Sequence, residues 1–96
     1  MAAYIIFIQE KLKDAAARDV YRKMVPATFE GHTMTRRAGG GRIEALEGPK
    51  PENCVILEFP TLEAAKAWYS SPGYQEATKQ RLKAGEYRVM IVEGVD

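Results

Sequence analysis

A chain of 96 residues is expected to form one domain, residues 1–96, with a modest core that burial against a second subunit would extend. Apolar residues make up 46% and charged residues 28%, a balance that excludes a disordered chain and fits a globular one. With 14 Lys and Arg against 13 Asp and Glu the net charge is +1, and the basic residues are scattered, so neither nucleic acid nor a membrane surface is an expected partner.

The opening, MAAYIIFIQEKLKD, carries an apolar run only from Tyr4 to Ile8, with no charged region before it and charges directly after. Neither a signal peptide nor a membrane span is expected there, and the cytoplasm is the expected compartment. The run is β-branched and aromatic, which predicts a strand. Asp14 stands where a helix cap would, before AAARDVYRKMV, with Val20, Tyr21, Met24 and Val25 at helical spacing. Pro26 is expected to kink this helix or to open a second short one over 27–30, and Gly31 to end it.

HTMTRRA (32–38) predicts a strand of mixed polarity, Gly39 to Gly41 a turn or bulge, and RIEALEG (42–48) a further extended stretch. After the loop GPKPEN, the run CVILEF (54–59) is the clearest strand in the chain. Thr61 can cap the helix LEAAKAWYSS, with Glu63 in its first turn. Ser71-Pro72 restarts a helix to about residue 83, Gly85 ends it, and EYRVMIVEG (86–94) is the last strand.

The order βαββαβ predicts an α+β, ferredoxin-like split βαβ fold: a four-stranded antiparallel sheet with two helices on one face. Right-handed crossovers set the first and third strands side by side, and that pair is read as parallel. IIFI, VIL and VMIV within the strands are apolar on both faces, and two helices cover only one. The other face calls for a second copy, giving a homodimeric α+β barrel.

AAY at the start, YRKMVP, GGGRIEALEG, VILEFPTLEAAKAWYSSPGYQ, the following Arg81 and the closing IVEG together resemble domain-of-unknown-function family 1330. The resemblance spans essentially the whole chain and implies the dimeric α+β barrel superfamily, in which two ferredoxin-like sheets pack face to face. Relatives in that superfamily include cofactor-independent monooxygenases of aromatic polyketides, haem-dependent enzymes, isomerases and plain small-molecule binders. The family pattern has Gly-Gly before its second strand and Arg-Gly-Gly after it. This chain has Gly31-His32 and then Arg36-Arg37-Ala38-Gly39-Gly40-Gly41, so the family arginine is not assigned to Arg37.

Among individual residues, Trp68 is expected to anchor its helix on the sheet, with lining of a pocket as the alternative. Tyr69 and Tyr74, beside a broken helix, divide evenly between core packing and a cleft. His32, the only histidine, is the side chain type best suited to proton transfer near neutrality, yet a lone histidine at a helix–strand junction is more often a surface or capping group. Glu58, between Leu57 and Phe59, must pair or reach solvent; an ion pair with Arg36, Arg37 or Arg81 is weighed above a catalytic base. Arg22 and the helix lysines read as solvated faces.

One histidine and one cysteine, Cys54 in an apolar run, build no familiar metal site, and Cys54 is more often a small buried hydrophobe than a nucleophile. Gly39 to Gly41 lack the lysine and following helix of a phosphate loop. No cofactor and no metal are expected.

Two functions stand side by side. The first is a small cofactor-independent enzyme acting on a partly apolar carbonyl, phenolic or polyketide-like substrate, leaning on the resemblance. His32, Glu58, Tyr74 and Arg81 would carry the acid/base chemistry, and Tyr21, Met24, Trp68 and Tyr69 would line a pocket between sheet and helices. The second is a non-catalytic dimeric binding or association domain.

Overall fold

The computed structural model describes residues 1–95. In chain order the elements are β1 (Ala3–Leu12), α1 (Ala15–Thr28), β2 (Thr35–Gly39), β3 (Asn53–Phe59), α2 (Leu62–Tyr69), α3 (Pro72–Ala84) and β4 (Gly85–Glu93). Local chemistry sets most of these boundaries. Asp14 accepts the Ala17 N–H at 3.1 Å and Thr61 the Ala64 N–H at 3.1 Å, each satisfying an orphan donor of a first helical turn. Ser71 caps α3 through the Tyr74 N–H, and Pro72 follows at the first helical position, where no N–H is missed. Gly31, at φ 80°, takes the left-handed turn after α1 that a side chain would oppose.

Two expectations fail here for local reasons. Pro26 opens no second helix; it lies within the last turns of one continuous helix. Its fixed φ is helical, the ladder ends just beyond it, and the Thr28 hydroxyl donates back to the Val25 carbonyl at 2.6 Å. The stretch 42–48 forms no strand, because β2 ends at Gly39 and left-handed glycines at Gly40 and Gly48 turn the chain away from the sheet.

The sheet order is β2-β3-β1-β4. The pairing of β1 with β3 is antiparallel, Ala3 opposite Phe59 and Gln9 opposite Asn53, which corrects the parallel reading. The connection from β2 to β3 reverses the chain, and β3 then enters between β2 and β1. The parallel pairs are therefore β1 with β2 and β3 with β4, each split by an intervening strand.

Side-chain alternation separates the two faces. Ala3, Ile5, Phe7 and Gln9 are buried toward the helices, while Tyr4, Ile6 and Ile8 are half-buried on the other side. Trp68 sits at the centre of the helix-facing layer with no exposed surface. Its ring stacks on Phe29 at 4.9 Å and Phe59 at 5.6 Å, and its indole N–H donates to the Thr28 hydroxyl at 3.0 Å. One residue thus ties α2 to the sheet and to the end of α1. Helix α1 itself packs mainly against α3 and touches the strands little along its length. The space beneath it is where a site can form.

Candidate functional site

A partly open cavity of about 620 Å³ lies under α1 on the helix-facing side of the sheet, within the size range of small-molecule sites. Strand register sets its floor. Gln9 stands opposite Asn53 of β3 and Tyr87 of β4, a polar row across three strands. The next row, Val55, Phe7 and Val89, is apolar, and Leu57 and Ile5 follow it. The roof is graded in the same direction: Arg18, then Tyr21 and Arg22, then Val25, Pro26 and Phe29. Floor and roof match because α1 runs back over β1, bringing its first turns above the end of the strand. Met34 and Arg36 form the side wall, and Trp68 closes the apolar end.

The polar end is tied together by hydrogen bonds. The Tyr87 hydroxyl donates to Gln9 Oε1 at 3.1 Å, and Gln9 Nε2 donates to Glu52 Oε1 at 3.2 Å. Asn53 Oδ1 accepts the Gly40 N–H at 3.2 Å, which leaves the Asn53 amide protons for the cavity. Tyr21 lines the cavity, and its hydroxyl is 2.8 Å from that of fully buried Tyr74, where either can donate across the pair. Burial pushes the Tyr21 pKa well above the usual phenol value, and the neighbouring Tyr74 adds to the rise. Burial also raises Tyr74, with the Tyr21 hydrogen bond and the Arg81 guanidinium working against it. Both are therefore neutral phenols, fit to donate and not to act as bases. Arg81 is 5% exposed, lies 5.5 Å over the Tyr87 ring, and has a buried Nε without a partner.

The residues singled out in the sequence fall into three groups. Tyr21 and Trp68 line the cavity. Tyr74 and Arg81 stand behind that lining, Tyr74 through its contact with Tyr21 and Arg81 through its stacking on Tyr87. His32, Glu58, Met24 and Tyr69 are outside it. The backbone N–H of His32 donates to the Phe29 carbonyl at 2.9 Å in the turn before β2, which begins later than 32–38 implied. Glu58 points to the other face of the sheet, opposite Tyr4, and meets Arg37 at 2.8 Å. Met24 is half-buried against the core, and Tyr69 packs on Tyr74 at 5.3 Å.

Gln9, Asn53, Tyr87 and Arg18 carry no sequence motif that marks a site, Arg36 reads from sequence only as a partner for Glu58, and Arg22 reads as solvated. One signal is in the alternation: Ile5 and Phe7 lead to Gln9, Leu57 and Val55 to Asn53, and Ile91 and Val89 to Tyr87, each an apolar series that ends in a polar residue. Among the described residues no group of His, Cys, Asp and Glu is arranged to hold a metal, and no helix is long and apolar enough to cross a membrane.

The architecture defines a ferredoxin-like α+β protein with a hollow between its first helix and its sheet. The chain belongs to the family described as Domain of unknown function (DUF1330), whose model matches residues 2–95. No curated protein matches it. A protein of unknown function from Rhodopseudomonas palustris superposes with a TM-score of 0.73 at 19% identity, over 99% of this chain and 83% of that one. A dimeric ferredoxin-like protein of unknown function from Jannaschia sp. gives 0.67 at 15%, over 98% and 100%. SnoaB, a cofactor-independent oxygenase from Streptomyces nogalater, gives 0.61 at 9%, over 99% and 93%. Likeness at these identities shows the fold alone.

Proposed function

We propose that the protein is a small enzyme without a bound cofactor, acting on a partly apolar carbonyl, phenolic or polyketide-like substrate held beneath α1. The observation that carries this reading is Tyr21: a residue lining a largely apolar cavity whose neutral hydroxyl pairs with that of buried Tyr74, with Arg81 close behind. When Tyr74 donates to Tyr21, the Tyr21 proton is free to meet a substrate oxygen. As negative charge develops on that oxygen in an enolate or phenolate, a fixed donor in a poorly hydrated site stabilises it more than water does. Kinship of fold with a cofactor-independent oxygenase supports this chemistry.

The subunit is proposed to work as a homodimer. Tyr4, Ile6, Ile8, Cys54, Ile56 and Met90 make a half-buried apolar sheet face with no helix over it. The Jannaschia neighbour is described as dimeric, which supports a second copy as its cover.

A non-catalytic binder is the second reading. It is favoured by a cavity lining that, among the described residues, holds no carboxylate and no imidazole. A panel of hydroxylated naphthoquinones and anthrones, incubated with the protein in air and followed by liquid chromatography and mass spectrometry, separates the two. The enzyme reading expects turnover that falls about a hundredfold in Tyr21→Phe. Ligands bound but recovered unchanged would establish the binder instead.

A further inference from the structure

The polar end of the cavity offers donors and cations without a matching acceptor. Gln9 is held on both sides of its amide, its oxygen accepting from Tyr87 and one amide proton going to Glu52, whose carboxylate stands behind the lining. Asn53 has its oxygen engaged by Gly40 and its amide protons free. Three arginines line the space, Arg18, Arg22 and Arg36, and among the described residues no acidic side chain does. Arg18 is held by Asp19 at 3.3 Å. Among the described residues neither Arg22 nor Arg36 has a carboxylate at ion-pair distance.

The strand geometry aims Arg36 at this end. β2 is irregular between Arg36 and Ala38, and Gly39 pairs with Val55, one step toward Asn53. The Arg36 guanidinium lies across Gly39, where any Cβ would collide with it. A glycine at 39 therefore opens the track along which Arg36 reaches the cavity. From the roof, the positive charges of Arg22 and Arg18 act on Tyr87, so the cations of α1 converge on the same polar row.

We infer that the cavity takes a small carboxylic acid, its ionised group among Arg22, Arg36 and the Asn53 amide and its aromatic or aliphatic body extending toward Trp68. This rests on the reading of the cavity as a small-molecule site and adds the chemical class of its ligand. Guanidinium is planar and pairs with carboxylate through two parallel hydrogen bonds, so two such groups and an amide suit a flat, singly charged oxyanion. The graded floor and roof then fix orientation, because the apolar body finds its match only at the Trp68 end.

Isothermal titration calorimetry with 2-naphthoate, its neutral isostere 2-naphthamide, and 1-naphthyl phosphate tests this. The acid should bind about tenfold or more tightly than the amide, with an advantage that shrinks as salt rises. Arg36→Gln and Arg22→Gln, both at exposed positions, should each weaken the acid about tenfold and leave the amide unchanged. Gly39→Ala keeps Arg36 but displaces its guanidinium, and it should weaken the acid in the same sense. Arg88→Gln, an equal loss of charge on the opposite face beside Glu10, should change nothing. Equal binding of acid and amide would overturn the carboxylate assignment and leave the small-molecule site standing. Tighter binding of the phosphate would overturn the assignment in favour of another oxyanion. Failure of all the probes to bind would overturn both readings.

Discussion

The two faces of the sheet are built from the same strands and differ in how polarity is distributed. On the helix side it is graded, from the Asn53–Gln9–Tyr87 row to the aromatic cluster around Trp68. On the other side Tyr4, Ile6, Ile8, Cys54, Ile56 and Met90 are apolar throughout, and polar groups stay at the margins in the pairs Arg37–Glu58 and Arg88–Glu10. A graded, hollow surface selects and orients a small molecule; a flat, uniform one suits another sheet. The hollow exists because α1 leans on α3 and not on the strands, while Trp68 fills only one end of the layer.

The largest effect is expected where the filled end is emptied. Trp68→Ala removes a side chain with no exposed surface, three aromatic neighbours within 6 Å and a hydrogen bond, and should cost about 3–5 kcal/mol in denaturant melts. A loss under about 1 kcal/mol would mean that Trp68 does not anchor the layer. On the flat face, Ile56→Asp places a charge at the centre of the proposed dimer contact. Sedimentation at micromolar concentration should show a dimer for the native chain and a dissociation constant raised about a hundredfold or more in the variant. A native monomer at that concentration would remove the dimer from the account.

The polar end has a pH signature. Tyr21 and Tyr74 have folded-state pKa values raised above those of the unfolded chain, so the folded protein holds protons that the unfolded one has lost. Their contribution is complete below the unfolded phenol value, about pH 10, and is lost as pH rises beyond it. Melting temperature should therefore fall steeply above about pH 10, and less steeply in Tyr21→Phe. A profile that is flat there would contradict the buried, neutral pair. Smallest in stability is Tyr21→Phe at neutral pH, which removes one partner of a 2.8 Å hydrogen bond and should cost about 1 kcal/mol by urea titration. Its effect on turnover should be far larger, and the contrast separates a site residue from a packing one.

Much of this was legible in the sequence because short-range rules govern it. Asp14, Thr61 and Ser71-Pro72 begin helices by capping chemistry that needs no knowledge of the rest of the fold, and Gly31 ends one by backbone freedom alone. The apolar runs IIFI and VMIV likewise identified two strands, which pair with each other in the sheet. That Pro26 opens no second helix is not legible locally, because its cost depends on where the helix ladder ends, which Thr28 and its long-range partner Trp68 help decide. Within the site, Tyr21 and Trp68 were visible as large aromatic side chains on helices, Tyr21 midway along α1 and Trp68 near the end of α2. Arg36, Gln9, Asn53 and Tyr87 were not, because their convergence depends on strand register. An irregularity between Arg36 and Ala38 also shifts the alternation of β2 by an amount that no local pattern announces. His32 and Glu58 drew notice by residue type, yet register and turn geometry set them away from the cavity.

The central claim is that small molecules enter beneath α1 while the opposite face is reserved for protein. Amide chemical-shift mapping of the isotopically labelled chain during titration with 2-naphthoate tests it most directly. The account predicts the largest changes at Arg22, Arg36, Gly40 and Asn53 and at the Trp68 indole, with Ile6, Cys54, Ile56 and Met90 unmoved. Changes centred on those four residues of the flat face, with the cavity silent, would contradict it.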